Sequence, residues 1–328
     1  MNPEPHHRDR LVVALGGNAL IRRHQLLDAA PQCANIARAV AALVPLAADR
    51  DLVITHGNGP QVGLLALESS SDPDLRSPYP LDALGAETQG LIGYWLLQAL
   101  SNELVGRDVA ALVTRTLVAG DDPGFDQPSK FIGPVYRSDQ AHEMARRRGW
   151  TIAPDGSGWR RIVASPTPRG VIEMAMIERL VGGGTIVVCG GGGGIPVIRD
   201  RAGRLTGVEA VVDKDLTSAL IAESIHASAL LLLTDVAAVS TDISVPGAPV
   251  ISHTTPGELR ALSFPAGSMG PKVEAACRFV EHTGQTAAIG ALADAVELLA
   301  GRAGTTITPG GAPAATRPAT SPGAALRG

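Results

Sequence analysis

Short apolar runs of strand length alternate along this chain with longer stretches whose apolar positions recur every three to four residues. The first pattern suits strands buried on both faces, and the second suits helices that bury one stripe. It predicts a strand over 11–15, a helix over 31–48, a strand over 52–55, a helix over 82–105 and a strand over 109–114. After a break it predicts a strand over 182–188, a hairpin near 199–205, a helix opening at Asp213 and a strand over 229–233. Helices over 256–262 and 271–282, a strand over 287–289, a helix ending at Ala300 and a strand over 305–308 complete the series. Such alternation implies parallel strands joined by right-handed crossovers, an α/β architecture with helices on both faces.

Two stretches leave this pattern. From 119 to 168 Gly, Pro, Asp and Arg accumulate and no period survives, which in a compact α/β chain marks a functional lid or small subdomain. Beyond Pro309 the residues are mostly Ala, Gly, Pro, Thr and Ser with almost no apolar bulk, and the tail over 310–328 is expected to be disordered.

Composition narrows the function. At 328 residues the chain is long enough for one large domain or two lobes with a substantial core. Aromatics make up only 3%, so that core must be built from Ala, Val, Leu and Ile. A formal net charge of −4 carries no electrostatic footprint for nucleic acid. The polar first ten residues hold no secretion signal, and the run over 227–233 is too short to span a bilayer. Cys33, Cys189 and Cys277 lie far apart, suggesting neither a disulfide framework nor a zinc site, and the expected location is cytoplasmic.

The chemistry is carried by three glycine turns, each just after a predicted strand: Gly16-Gly17-Asn18, Gly57-Asn58-Gly59 and the five glycines Gly190 to Gly194. Glycines there let backbone N–H groups face a ligand, and a following helix adds the positive end of its dipole. A tight turn with no ligand would look the same in isolation. No Lys-Ser/Thr follows the five glycines, as a P-loop needs, and Ile195 stands where a dinucleotide fingerprint needs its third glycine. Because carboxyl ends of parallel strands converge on one crevice, the three turns are expected to face a common site.

Lysine usage points the same way. Of 28 Lys plus Arg, only Lys130, Lys214 and Lys272 are lysine. A compact ammonium is suited to following a moving phosphoryl group, where arginine's planar fork is not equivalent. Lys214 lies between Asp213 and Asp215 at a helix start, and Lys272 follows Pro271 at another. A cation in a first helical turn opposes the dipole by about 0.3–1 kcal/mol unless an anion shares the site. An isolated lysine is ordinarily a solvated surface group, but three survivors beside Gly, Pro or Asp are read as functional. His56 is expected to pack or hydrogen-bond beneath the Gly57 turn, and no Gly-x-Ser-x-Gly elbow suggests a hydrolase.

With these residues in hand the chain resembles the carbamate kinases of the amino acid kinase superfamily. The matching segments are VVALGGNAL at Val12, THGNGPQVG at Thr55, TQGLIGYWL at Thr88, KFIGPVY at Lys130, GWRRIVASP at Gly158, CGGGGGIPV at Cys189, GVEAVVDKDL at Gly207 and GSMGPKVEAA at Gly267. They run in order through nearly the whole chain. Three departures stand out: Phe131 where the family usually has proline, Ser165-Pro166-Thr167-Pro168 without a lysine, and a 237–249 loop lacking the usual aromatic and Asn-x-Gly-Lys-Pro pattern.

The resemblance implies a three-layer α/β/α sandwich with a mainly parallel, about eight-stranded central sheet and a small lid subdomain. It implies an N-terminal lobe over 1–184 for carbamate or carbamoyl phosphate, a lid over about 119–168, and a C-terminal lobe over 185–309 for ATP or ADP. The implied reaction is reversible phosphoryl transfer between ATP and carbamate, giving ADP and carbamoyl phosphate, with Mg2+ carried by the nucleotide and a homodimer as the assembly. By motif, Gly16, Gly17, Asn18, Gly57 and Asn58 hold carbamate and the transferred group. Lys214, Lys272, Asp213, Met269, Gly190 and Gly191 hold the nucleotide, Asp215 orients the lysines, and Lys130 swings in from the lid. The rivals are a kinase of the same fold for another small carboxylate or phosphonate, and a nucleotide-binding regulator without turnover. Ala14 argues against acylglutamate- or aspartate-type kinases, which usually carry lysine there.

Overall fold

The structure is a computed structural model that describes residues 8–22, 25–242, 245, 247–264, 269–310 and 315–317, the side chains of Asn18 and Arg317 excepted. In chain order, the first half comprises β1 (Asp9–Leu15), α1 (Gly17–Leu20), α2 (Ala29–Ala47), β2 (Arg50–His56), α3 (Gly59–Ser69), α4 (Leu81–Glu103), β3 (Val109–Ala111) and β4 (Arg115–Leu117). The next stretch holds β5 (Lys130–Tyr136), α5 (Ser138–Arg148), β6 (Thr151–Asp155), β7 (Gly158–Val163), β8 (Gly170–Val171), α6 (Met174–Gly182), β9 (Ile186–Val188), β10 (Ile195–Arg199) and β11 (Leu205–Gly207). Then come α7 (Lys214–Ser224), β12 (Ala229–Thr234), β13 (Val250–Thr254), α8 (Pro256–Arg260), α9 (Met269–Thr283), β14 (Thr286–Ala291), α10 (Ala295–Leu299), β15 (Thr305–Ile307) and β16 (Ala315–Arg317).

Nine described strands form one sheet in the order β16-β13-β15-β14-β12-β1-β2-β9-β3. Neighbours run parallel except for the β14–β15 and β13–β16 pairs. Alternation along the central strands divides the core. On β1, Val12 and Ala14 pack with Ile177 of α6, Ile221 of α7 and Phe279 of α9. Leu11, Val13 and Leu15 pack on the other face with Ile36 and Leu43 of α2 and Ile92 and Leu96 of α4. Both faces are dry because side chains a period of two apart serve opposite helical layers. This is the expected three-layer α/β/α sandwich.

Several expectations need adjustment. Helix α3 was not foreseen: Gly59, Pro60 and Gly63 look like turn residues, yet proline is compatible with a first helical turn. Strand β13 and helix α6 were also unforeseen, and residue 182 ends α6 rather than opening a strand. The aperiodic stretch contains a three-stranded antiparallel sheet, β5-β7-β6, carrying α5. It packs on the body through Ile132 and Val163 against Val62, Ala66, Leu81 and Leu84. Strand β9, just past residue 185, inserts between β2 and β3. Within the tail expected to be disordered, Ala315–Arg317 pair with β13 as an edge strand, backbone hydrogen bonding sufficing without apolar bulk. Residues 311–314 and 318–328 of that tail, and parts of the divergent 237–249 loop, lie outside the described residues.

Candidate active site

The carboxyl ends of β12, β1, β2 and β9 lie side by side and deliver Thr234, Gly16, Gly57 and the five-glycine turn to one edge. The turns are stitched together: the Gly16 N–H donates to Leu233 O at 3.0 Å and the Gly57 N–H to Leu15 O at 3.1 Å. A Cβ on Gly16 would sit 2.8 Å from Leu233 O, so only glycine fits. These two N–H groups therefore complete the sheet, while both glycines still line the cavity described below. At the first turns of α1 and α3, by contrast, the N–H groups of Gly17 and Gly59 have no partner inside their helices.

The five glycines serve packing more than ligand contact. Gly190, Gly192, Gly193 and Gly194 have φ of 61°, 63°, 90° and 87°, the region where side chains are strained. A Cβ on Gly191 would lie 2.4 Å from His56 Nε2, and one on Gly192 would lie 2.2 Å from Asn58 Nδ2. Gly190 and Gly191 are buried beneath the site, and Gly192 alone of the five lines it. The turn is wound tightly enough to hold the floor of the site in place.

Above this floor is a cavity of about 260 Å³ whose walls include Gly16, Gly17, Gly57, Asn58, Lys130, Lys214, Asp215 and Lys272. The three scarce lysines, from the lid, α7 and α9, thus meet at one place. Lys214 and Asp215 form a buried ion pair, and the other Asp215 oxygen accepts from Lys272 Nζ at 3.2 Å. Lys130 reaches across from β5 to Asp213. Asp213 is the N-cap of α7, its Oδ1 accepting from the N–H groups of Asp215 at 2.8 Å and Leu216 at 3.2 Å. Part of the anion expected beside the lysines is thus supplied by the protein. Two carboxylates facing three lysines still leave the cluster cationic, with Arg160 also on the wall.

Protonation follows from this geometry. Burial pulls the Lys214 ammonium below its ordinary pKa, with repulsion from Lys272, while Asp215 resists the shift. Burial opposes ionisation of Asp215 too, but Lys214 and Lys272 outweigh it and hold its carboxyl well below the usual range. For Lys130, burial is outweighed by Asp213 and Asp215, which raise its pKa. His56 is 1% exposed and hydrogen-bonds Gly57 O at 3.1 Å, so it packs beneath the turn as expected. Burial, with Lys214 nearby, pushes its pKa down to about 4, which leaves it neutral near pH 7.

Asn58 lines the cavity with its Nδ2 donating to Thr88 Oγ1 at 2.8 Å. Met269 is buried in the core against α7 and β12 and does not line the cavity, nor do Gly190 and Gly191. Asp213 meets the site through Lys130. Asn18 falls in α1.

The profile of the Amino acid kinase family matches residues 9–291, which contain every element of this site. The chain belongs to the amino acid kinase family. Within that family it is 51% identical to the carbamate kinase of Rhizobium meliloti (strain 1021) over 91% of this chain and 93% of the relative. It is 49% identical to the carbamate kinase of Escherichia coli (strain K12), over 91% of this chain and 99% of the relative. Among solved structures, carbamate kinase from Giardia lamblia bound to AMP-PNP superposes with a TM-score of 0.83 at 35% identity, covering 93% of this chain and all of that one (100%).

Wall residues that the sequence did not single out as part of the site include Arg160 and Thr234. Arg160 was hidden by the abundance of arginine. Its Nε donates to Gly133 O at 2.7 Å and its Nη1 to Asp155 at 3.1 Å, which fixes its stem within the lid sheet. Phe131, the departure noted in the lid motif, faces the cavity directly.

Proposed function

We infer that the chain transfers a phosphoryl group reversibly between ATP and carbamate, giving ADP and carbamoyl phosphate. The observation that carries this reading is the convergence of its three lysines on the glycine turns, in a chain 51% identical to a carbamate kinase. Carbamate is already an anion, so no base is needed to make the nucleophile, in keeping with a neutral, hydrogen-bonded His56. Catalysis then rests on alignment and on stabilising charge as it spreads over the transferred group.

In this reading the first turns of α1 and α3, with Asn18, Gly57 and Asn58, cradle carbamate and the transferred phosphoryl group. Lys214 and Lys272 bind the nucleotide phosphates, and Asp215 holds their ammonium groups at fixed separation. Lys130 exchanges its contact with Asp213 for the phosphoryl oxygens, so that lid position and charge compensation are one event. Gly190, Gly191 and Met269 support the nucleotide side from beneath.

Mg2+ is read as arriving with the nucleotide. Among the described residues no cluster of three or more His, Cys, Asp or Glu is placed to hold a metal, and the two carboxylates near the cavity are engaged by lysines. The ion's contribution is charge neutralisation on the phosphates. Two exposed apolar residues three apart on α4, Leu91 and Tyr94, support pairing with a second copy. Among the described residues no helix is long and apolar enough to cross a membrane. Since an acid anhydride gives up its phosphoryl group readily, net flux is read as ATP synthesis, in arginine catabolism. The test is ATP formation from ADP, Mg2+ and carbamoyl phosphate. No ATP above background with ADP binding intact would overturn the reading in favour of a non-catalytic binder. Turnover with another acyl phosphate alone would favour the rival substrate.

A further inference from the structure

A second cavity, of about 430 Å³, lies on the far side of the lid sheet. Its lid wall is built from Arg148, Trp150 and Arg161, and its body wall from the end of α3 and the start of α4, including Ser70 and Tyr79. Strand alternation explains why there are two sites. Arg160 and Arg161 are consecutive on β7 and face opposite sides, so Arg160 lines the first cavity and Arg161 the second.

Both arginines are held ready and incompletely used. Their guanidinium carbons lie 5.5 Å (Arg148) and 4.9 Å (Arg161) from the Trp150 ring centroid, which braces two like charges around one aromatic. Arg148 Nη2 donates to Ser71 Oγ at 3.0 Å, whereas its Nη1 is buried with no hydrogen-bond partner among the described residues. The Tyr136 hydroxyl is buried and unpartnered in the same way, beside Arg161 in a small adjoining cavity. Glu209 is the acid on this wall. It meets Arg161 at a loose 3.8 Å, and its Oε2 is already occupied by the Leu81 N–H at 2.8 Å. Burial, together with Arg148, lowers the Arg161 pKa against the pull of Glu209. Buried donors left without acceptors are costly.

We propose that this cavity is a second ligand site, separate from the phosphoryl-transfer site, that binds a small oxyanion through Arg148 and Arg161. Planar guanidinium forks match the oxygens of carboxylates and phosphates alike, and Arg148 and Arg161 both line this cavity with Glu209 as the acid near them. The occupant bridges lid and body. Arg161 stands directly across the strand pair from Ile132, and Ile132 lines the first cavity, so binding here restrains the segment that carries Lys130.

The test uses full-length protein saturated with AMP-PNP, so that anions do not compete at the nucleotide phosphates, and calorimetric titration with citrate and, separately, inorganic phosphate. At least one probe is expected to bind, and the stronger identifies the ligand class as carboxylate or phosphate. Arg161→Gln and Arg148→Gln should each weaken binding, the first at least tenfold. Glu209→Gln, which keeps an acceptor for the Leu81 N–H while removing the negative charge, should tighten it severalfold, a gain that misfolding does not imitate. Binding of neither probe, or equal affinity in the parent, Arg161→Gln and Glu209→Gln proteins, would overturn the proposal. The readout is binding, so it stands or falls independently of the phosphotransfer assay.

Discussion

Replacing Asp215 by asparagine tests the central ion-pair arrangement most directly. Asp215 is 4% exposed and accepts from both Lys214 and Lys272. The amide preserves shape but removes the charge that offsets the desolvation of Lys214, itself only 8% exposed. Removing one partner of a buried pair costs about 3–5 kcal/mol, a large part of the roughly 5–15 kcal/mol that holds a typical protein folded. At an m-value of about 3 kcal/mol/M, the urea midpoint of the ligand-free protein should fall by about 1–2 M. The pH dependence gives a second reading. Lys214 already has a depressed pKa in the parent, and without Asp215 it is depressed further. Between that depressed value and the ordinary lysine value of 10.5, the unfolded chain then binds more protons than the folded one. The stability of Asp215→Asn should therefore rise as pH climbs toward that value. Urea melts at several pH values read both effects. A variant as stable as its parent, or one whose stability falls with rising pH, would refute the view that Asp215 neutralises a buried cation.

Three further outcomes are expected. Lys130→Ala should depress ATP synthesis far more than ADP affinity, and equal losses in steady-state rate and calorimetric affinity would contradict its role on the lid. Gly63→Ala should displace the lid and lower turnover while circular dichroism stays native, because a Cβ there would lie 2.0 Å from Gly133 Cα with backbone on both sides; unchanged turnover would show that the lid seats elsewhere. His56, pushed down to about 4 from 6.5, is charged more readily in the unfolded chain, so it withdraws stability as pH falls between those values. The full effect is about 3 kcal/mol, and in His56→Gln the acid side of the stability profile should flatten correspondingly in urea melts.

Local periodicity was enough to read a largely parallel sheet with helices on both faces, though not α3, α6 or β13. The strands of the sheet core are buried on both faces and so appear as continuous apolar runs, whereas α2 and α9 each bury one stripe. Scarcity alone singled out the lysines, since arginine had replaced lysine everywhere except at three positions. Tertiary structure decided what no local pattern encodes. It closed the N–H groups of Gly16 and Gly57 onto sheet carbonyls, because adjacent parallel strands happen to end in register. It also turned the glycine run into a packing device, since the atoms that exclude a Cβ at Gly191 and Gly192 come from His56 and Asn58, more than a hundred residues away in the chain. Helix α3 was obscured because its glycines answer to the lid backbone, a contact invisible from its own sequence. Arg160 and Arg161 show the same division within two residues: their charge is plain in the sequence, but only the position of β7 between two cavities sends one to each.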